Sequence, residues 1–506
     1  MIKKAEKLVG DIADFLESHY RWMVVLTMAA YFIRSLMSGL IKGGRWDLYQ
    51  NIAMADRFLA GEGFYYSPIE ASTPYFPGVA FLAVLIGKFF YPWRDYILLV
   101  MASLIGTAFL YALIKLGERF SKNRAISMVV TFTLISMGFE HYRDYMNEFK
   151  ADSLVLLYAV LIILIIDKIE NDERNADTKT ALILFVMAFL MDVTKQQALY
   201  VDVALGIYLL FTKKLEIKEK IVILGSLVTA GLVDLAVIFR IPGVEIQTIQ
   251  NLSDMPYWDV KNIIGQMGMD VMKNLIYFIL LLLFVCLLIR KRIQLEALAG
   301  KWMAIALAFG VGQIAGGCKK GGNAGNFEAG MVSFLPFVVV AAEYVFREYF
   351  KDDKKRAVIG AMNYAVCAIC FGMLLLTVKK SGELAGRVRM DREVSAYLSQ
   401  TFGNETIMYQ SNQYMQLARS SVRPGMDAIA VPRFMKEYMH TIEENLKEQT
   451  YRYLYIGSGG FKAWDEIARI YCGEEVDAQG MLEKYYDVIE DPAMPESLQG
   501  KLFMAK

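Results

Sequence analysis

Acidic and basic side chains of this 506-residue chain gather in polar segments that border long apolar runs. Carboxylates in such segments can take a proton from a hydroxyl group, and lysine ammonium groups can bind anions. Four segments stand out, centred on Asp47, Glu140–Asp152, Asp192–Lys195 and Lys319–Glu328. They would form one shared site if the apolar elements between them bring them to the same side of a membrane.

The segment Lys42–Gly78 has the most informative pattern. Asp47 stands between Trp46 and Tyr49, about one helical turn beyond an apolar run. An amphipathic stretch, a Gly/Tyr-rich turn and the sequence Tyr75-Phe-Pro-Gly follow. A loop that only joins two membrane helices would be short and polar. This long aromatic segment therefore indicates a working surface at the membrane–water boundary.

Most of the other polar residues also have an ordinary structural explanation. Asp192 and Lys195 are three residues apart and could simply pair on a helix surface. Glu148 and Lys150 could form a solvated rim. Arg34, which lies within the first apolar run, could extend its guanidinium group to the membrane interface. These alternatives stay open at the level of the sequence.

Two motifs that suggest metal or redox chemistry are better explained by packing or chance. Cys367-x-x-Cys370 lies within an apolar run, where cysteine acts as a small packing residue. His141 is one of three histidines and has no neighbouring ligand pattern, so no metal role is expected for it. The sequence therefore predicts no metal site and no cofactor, although it does not exclude a divalent metal.

The composition is that of a polytopic α-helical membrane protein. Hydrophobic residues make up 56% of the chain, charged residues 21%, and the mean hydropathy is +0.34. Repeated apolar runs have the length that a hydrocarbon layer of about 30 Å requires of helices. The net charge of +1 gives no indication of nucleic acid as a partner. The runs lie near residues 22–41, 97–117, 125–138, 152–167, 181–191, 198–212, 221–239, 274–289, 302–317, 330–346 and 357–378.

The positions of lysine and arginine predict the orientation in a cell membrane. Basic clusters belong on the cytoplasmic side. If all the basic clusters face the cytoplasm, the N-terminus lies in the cytoplasm, the C-terminus lies outside, and the four polar segments lie on the outer face. The clusters lie at residues 1–21, 115–124, 168–179, 213–220, 290–301 and 347–356. If Val79–Tyr91 crossed the membrane completely, the basic cluster at 115–124 and most later ones would lie on the outer side. We therefore interpret this segment as a re-entrant or interfacial helix.

The chain is predicted to have two domains. Residues 1–378 would form the membrane domain of about eleven to twelve helices, with residues 42–78 as its first outer loop. From Lys379 onward the charge density rises and no run could span a bilayer. Short apolar strands at 406–409, 453–456 and 486–489 alternate there with helical patterns, which predicts a small extracytoplasmic α/β domain over 379–506.

The pattern of the first outer loop resembles that of the GT-C membrane glycosyltransferases. The similar features are Gly-Gly-Arg-Trp-Asp47-Leu-Tyr, an amphipathic helix, Gly-Glu-Gly-Phe-Tyr-Tyr and Tyr75-Phe-Pro-Gly. The resemblance extends to Lys150-x-Asp152 and to the Asn-x-x-Asn-Phe-Glu328 segment, and covers most of residues 20–345 in organisation. Protein O-mannosyltransferases and lipid A aminoarabinose transferases are members of this superfamily.

The resemblance implies an inverting transfer of a sugar from a polyprenyl-phosphate carrier to a glycan, lipid or protein acceptor at the outer face. Asp47 would act as the general base, and Asp152 as the second acid. The donor phosphate would be bound by Lys150, Lys195, Lys319, Lys320 and Arg34. The substrate would be contacted by Trp46, Tyr49, Glu148, Asn326 and Glu328.

Two other classes of function compete with this interpretation. A transporter or flippase of a lipid-linked or small anionic substrate would also be polytopic, but such proteins often carry internal repeats, and none is visible here. A scaffold whose outer domain binds a cell-envelope partner would explain the tail but not the loop carboxylates. The oligosaccharyltransferase branch of the superfamily uses several acids and a divalent metal, whereas no Asp-x-Asp occurs in the first loop.

Overall fold

The computed structural model shows a protein built mainly of helices, with a small sheet near the C-terminus. The described residues are 18–42, 46–61, 63–64, 76–121, 123–146, 149–244, 260, 263–293, 297–318, 324–349, 352–403, 406–410, 423–424, 444–457, 478–498 and 500–506. The predicted helical bundle with a small C-terminal α/β part is confirmed.

The helices follow one another with short connections through most of the chain. They are α1 (Tyr20–Lys42), α2 (Trp46–Leu59), α3 (Gly78–Phe90), α4 (Arg94–Phe120), α5 (Arg124–Thr133), α6 (Glu140–Met146), α7 (Ala151–Glu170), α8 (Thr178–Asp192), α9 (Ala198–Phe211), α10 (Ile217–Ile238), α11 (Gly268–Lys273), α12 (Leu275–Ile289), α13 (Ala297–Ile305), α14 (Val311–Cys318), α15 (Ala324–Ser333), α16 (Leu335–Tyr349), α17 (Asp352–Phe402) and α18 (Ala478–Tyr485).

Several of these helices are long and apolar enough to cross a membrane. Within the described ranges four qualify by length and composition, namely Tyr20–Ile41, Arg94–Phe120, Ile217–Ile238 and Val358–Phe402. The number rises to six if each of two bent pairs, α11 with α12 and α15 with α16, is one span. These criteria select fewer helices than the eleven to twelve that the sequence predicts, because several apolar helices of the bundle are short. The protein is nevertheless a multi-pass membrane protein.

Large apolar side chains remain exposed along many helices, as expected where helices face lipid rather than water. Phe211 is 79% exposed, Ile221 66% and Phe371 65%. In a water-soluble protein a surface of this kind would favour aggregation. Here it supports the membrane assignment independently of helix length.

The segment predicted to be re-entrant or interfacial forms α3, a helix of 13 residues. At 1.5 Å per residue it is about 20 Å long, which is less than the hydrocarbon thickness of about 30 Å. A 3₁₀ turn over Tyr91–Trp93 follows it and leads directly into α4. The length of α3 agrees with the interfacial interpretation.

The chain divides into two compact units. One comprises residues 1–37, 101–235 and 256–379, and the other comprises residues 38–100, 236–255 and 380–506. The first unit contains a continuous buried apolar core with residues from α1, α4 to α10, α12, α13 and α15 to α17. The predicted division into domains 1–378 and 379–506 stays a prediction.

In the second unit, a buried ion pair fixes α2 to the start of α4. The fully buried guanidinium group of Arg94 donates two hydrogen bonds to the Asp56 carboxylate, at 2.5 and 3.1 Å. Such a two-point contact fixes orientation as well as distance. The rings of Phe58 and Phe64 stack with their centroids 4.3 Å apart, and Phe81 packs against Phe64. Asp56, an acid of the amphipathic stretch, therefore has a structural partner in Arg94.

Within the described C-terminal residues, the sheet has five strands in the order β2-β1-β3-β5-β4. The strands are β1 (Thr406–Gln410), β2 (Arg423–Pro424), β3 (Tyr453–Gly457), β4 (Tyr486–Val488) and β5 (Gly500–Ala505). Strands β2, β1 and β3 run parallel, and β5 runs antiparallel to both β3 and β4. The three strands predicted from the sequence are present as β1, β3 and β4, whereas β2 and β5 were not predicted.

Two close backbone approaches hold α14 against α15. A Cβ atom at Gly330 would lie 2.6 Å from the carbonyl oxygen of Gly310 and 2.6 Å from a side-chain carbon of Ile314. A Cβ atom at Gly317 would lie 3.0 Å from the backbone nitrogen of Phe327. Glycine is needed where backbones approach this closely. The two helices, which carry Gln313 and Glu328, therefore pack with their backbones close together.

Candidate functional site

A buried carboxylate at the start of α7 forms the centre of the candidate site in the first unit. Asp152 is fully buried, in the first turn of α7, where the helix dipole favours a negative charge. Lys150 precedes the helix with an extended backbone conformation, φ −64° and ψ 130°. Lys150 and Asp152 both lie inside the protein.

Two side chains from other elements bind the same oxygen of Asp152. Lys195, in the turn between α8 and α9, places its Nζ 2.6 Å from Oδ1. Gln313 of α14 donates from Nε2 to the same Oδ1, also at 2.6 Å. Three segments that are distant in sequence thus meet at one carboxylate. The structure thus brings together Lys150, Asp152 and Lys195, three of the residues predicted from the sequence, while their predicted roles stay predictions.

The electrostatics of this cluster are unusual for a membrane protein. Lys150 and Lys195 are 3% and 5% exposed, and both act on the charge of Asp152. Burying ammonium groups is expensive unless a carboxylate offsets the cost, and Asp152 does so. The other oxygen, Oδ2, is buried and has no hydrogen-bond partner within the described part of the chain. We name the set of Lys150, Asp152, Lys195 and Gln313 the lysine–aspartate cluster.

Gln313 was missed by the sequence analysis because it lies within the apolar run 302–317. Its side chain is 3% exposed. A lone amide in an apolar membrane segment needs a hydrogen-bond partner inside the protein. The presence of a glutamine in this run could therefore have indicated a buried polar contact. The structure supplies the partner as Asp152.

The possible surface pair of Asp192 and Lys195 is not what the structure shows. Lys195 turns to Asp152 instead, and Asp192 is buried at the end of α8. Its carboxyl group faces those of Asp202 and Asp234 from α9 and α10. Neither Asp192 oxygen has a hydrogen-bond partner outside this group of acids among the described residues.

Glu328 and Asn326 lie on α15, the helix that packs closely against α14. Glu328 is 1% exposed, and its Oε2 accepts a hydrogen bond of 2.6 Å from the backbone N–H of Tyr142 in α6. Asn326 is half-buried. Glu328 also approaches His141 and Asp270, and one potential ligand atom of each lies within 4.8 Å of the others. These three residues are the ones in the described structure that could hold a metal ion.

Arg34 binds a backbone carbonyl in the structure. Its guanidinium group donates to the carbonyl oxygen of Ser136 at 3.2 Å, and Arg143 donates to the same oxygen at 2.8 Å. Ser136 lies in the π-helical turn Leu134–Gly138 that ends α5. The two arginines therefore satisfy one carbonyl group of this irregular turn. A role for Arg34 in binding phosphate stays a prediction.

The remaining predicted site residues cannot be placed by their side chains. Trp46, Asp47 and Tyr49 belong to the first turn of α2, but their side chains lie outside the described residues. Glu148, Lys319 and Lys320 also lie outside the described residues. Their predicted roles as base, phosphate ligands and substrate contacts stay predictions.

The fold is that of the GT-C glycosyltransferases, in agreement with the resemblance found in the sequence. The structure is similar to that of ArnT from Cupriavidus metallidurans bound to undecaprenyl phosphate, with a TM-score of 0.60 at 10% identity. That similarity covers 96% of this chain and 98% of ArnT. No family model and no curated protein matches the sequence.

Two further solved structures share the fold. The archaeal oligosaccharyltransferase AglB from Archaeoglobus fulgidus, in complex with an inhibitory peptide and a dolichol-phosphate, aligns with a TM-score of 0.52 at 11% identity. The alignment covers 96% of this chain and 74% of AglB. The mycobacterial arabinofuranosyltransferase AftD also gives 0.52, at 10% identity, with 96% of this chain and 40% of AftD covered.

Proposed function

We propose that this protein is an inverting membrane glycosyltransferase that takes a sugar from a polyprenyl-phosphate donor and transfers it to a cell-envelope acceptor. The acceptor would be a glycan, a lipid or a protein at the outer face of the membrane. The observation that carries the proposal is the buried lysine–aspartate cluster in a chain with the GT-C fold. ArnT and AglB, which share the fold, have been solved with polyprenyl phosphates bound.

The lysine–aspartate cluster has the chemistry that a lipid-phosphate leaving group requires. When the bond between the anomeric carbon and the phosphate oxygen breaks, the electron pair stays on the phosphate, whose charge grows. Lys150 and Lys195 would bind that charge in surroundings with little water, where an ammonium group acts strongly. Asp152 and Gln313 would hold Lys195 in position, so that little reorganisation is needed during the reaction.

The acceptor hydroxyl needs a base, and Asp47 is our proposal for it. The hydroxyl oxygen attacks the anomeric carbon from the face opposite the phosphate, and a carboxylate takes the proton. General-base help of this kind contributes about 10²–10⁴-fold. The assignment depends on the sequence context of Asp47, between Trp46 and Tyr49 at the start of α2.

Purified protein in lipid nanodiscs should transfer sugar from one member of a panel of polyprenyl-phosphate sugars to an added acceptor. We expect release of free polyprenyl phosphate that depends on acceptor, and a product with the anomeric configuration opposite to that of the donor. The control is the same panel incubated with empty nanodiscs. No release from any donor of the panel, under conditions in which a product polyprenyl phosphate binds, would contradict the proposal.

A transporter or flippase is the second candidate, because charged residues within membrane helices also occur in transport proteins. Proteoliposomes loaded with labelled lipid-linked sugar distinguish the two functions. Movement of intact donor between leaflets without cleavage supports transport. Cleavage of the sugar–phosphate bond supports the transferase.

A further inference from the structure

A second polar cluster of the first unit lies at the meeting of α6, α11 and α15. His141 comes from α6, Asp270 from α11 and Glu328 from α15. One imidazole nitrogen and one oxygen from each carboxylate all lie within 4.8 Å of one another. We name these three residues the histidine–acid cluster.

The carboxylates of the histidine–acid cluster are in an unfavourable state without a positive charge between them. Asp270 and Glu328 are 2% and 1% exposed, and their like charges repel each other. The Oδ2 atom of Asp270 is buried and has no hydrogen-bond partner in the described part of the chain. An unpaired buried carboxylate is costly. A cation between the two groups would remove both the repulsion and the missing contact.

The surroundings orient one of the ligands and offset part of the negative charge. Glu328 receives a hydrogen bond from the backbone of Tyr142, which orients its carboxylate, and a carboxylate has further lone pairs for a metal. Lys273 lies near this pair of acids, but its Nζ is half-exposed and 3.8 Å from Glu140. The lysine therefore offsets part of the charge from outside the cluster.

We propose that His141, Asp270 and Glu328 bind a divalent transition-metal ion. One imidazole and two carboxylates form a nitrogen–oxygen set that suits Zn²⁺ or Mn²⁺. Ligand atoms around Zn²⁺ are about 3.4 Å apart at bond lengths of about 2.1 Å, so small side-chain rotations would complete the site. This departs from the sequence expectation of no metal, because the sequence separates the three residues by 129 and 58 positions.

The inference goes beyond sugar transfer, and its test uses binding of the metal alone. Detergent-purified full-length protein is stripped with chelator, exchanged into chelator-free buffer and titrated with Mn²⁺. Free Mn²⁺ is followed by its electron paramagnetic resonance signal, and Zn²⁺ is then added as a competitor. We expect one saturable Mn²⁺ per chain and displacement of that ion by Zn²⁺.

Three near-isosteric variants locate the ion. His141→Gln, Asp270→Asn and Glu328→Gln should each weaken Mn²⁺ binding at least about 10-fold, since each removes the imidazole nitrogen or the negative charge of a ligand. Glu140→Gln is the matched control, because Glu140 is exposed and adjacent to His141 but outside the ligand set. It should bind Mn²⁺ like the unmodified protein. Elution as a monodisperse peak and a thermal transition of the metal-free protein show that each variant is folded.

Two results would overturn the proposal. One is the absence of saturable Mn²⁺ or Zn²⁺ binding by the unmodified protein at one ion per chain. The other is binding that persists unchanged in all three ligand variants, which would place the ion elsewhere. Neither result bears on sugar transfer, so failure of the metal proposal is distinguishable from failure of the transferase proposal.

Discussion

Replacing Lys195 with methionine should both destabilise the protein and abolish binding of the polyprenyl-phosphate product. The ammonium group lies 2.6 Å from Oδ1 of the fully buried Asp152. Without it the carboxylate stays buried with one partner fewer. Breaking a buried ion pair from one side costs about 3–5 kcal/mol. The loss of stability appears as a lower midpoint in thermal unfolding, and the loss of binding appears in a titration with undecaprenyl phosphate.

A double variant separates the structural effect from the functional one. Asp152→Asn combined with Lys195→Met removes both charges, so much of the lost stability should return, because neither partner is left as an unpaired ion. Product binding should not return, since the ammonium group is still missing. Transfer should stay reduced by about 10²–10³-fold, the usual effect of removing one group that stabilises charge in the transition state.

The control for this pair is Lys214→Met, which removes an exposed lysine outside the lysine–aspartate cluster. It should change neither the unfolding midpoint nor product binding. A double variant that is stable and still transfers sugar at the rate of the unmodified protein would show that the lysine–aspartate cluster is structural only.

Replacing Asp47 with asparagine should reduce the transfer rate by about 10²–10⁴-fold and leave donor binding intact. Asparagine keeps the size of the side chain but cannot take the acceptor's proton. The effect on folding should be small, because an acid in the first turn of a helix contributes only about 0.3–1 kcal/mol. The measurement is a single-turnover rate with saturating donor, together with the donor affinity of the same preparation.

Glu140→Gln is the matched comparison for Asp47→Asn, because it also replaces an acid by its amide in a segment predicted to be outward-facing. It should transfer at the normal rate. Asp47→Asn that retains full single-turnover activity would remove Asp47 as the base and would require another carboxylate in that role.

Much of the fold could be predicted from hydrophobic patterning, because every apolar run of sufficient length needs to form a helix in lipid. The point at which the last membrane helix ends could not be predicted in this way. The apolar run stops near Val378, yet α17 continues as one helix to Phe402. Residues 379–402 are polar enough to leave the membrane but have no proline, so nothing breaks the helix there. Strand β5 was missed because Gly500–Ala505 has only a short pattern of alternation.

The candidate site could be predicted in part, because some of its residues are charged and interrupt the apolar runs of the sequence. Lys150, Asp152 and Lys195 stand at the ends of apolar runs, where a charge is visible in the sequence. Their mutual contact depends on packing, as does the choice of Asp152 over Asp192 as the partner of Lys195. Asp270 lies in a segment with no distinct motif, so only the structure brings it next to His141 and Glu328.

Photocrosslinking with a polyprenyl-phosphate analogue tests the central claim most directly, namely that the lysine–aspartate cluster binds the donor phosphate. The analogue carries a diazirine on the isoprenoid unit next to the phosphate, and crosslinked peptides are identified by mass spectrometry. Crosslinks should map to peptides that contain Lys150–Asp152 or Lys195, and unlabelled undecaprenyl phosphate should compete them away. Competable crosslinks confined to the C-terminal residues 406–506, with none at those peptides, would contradict the claim.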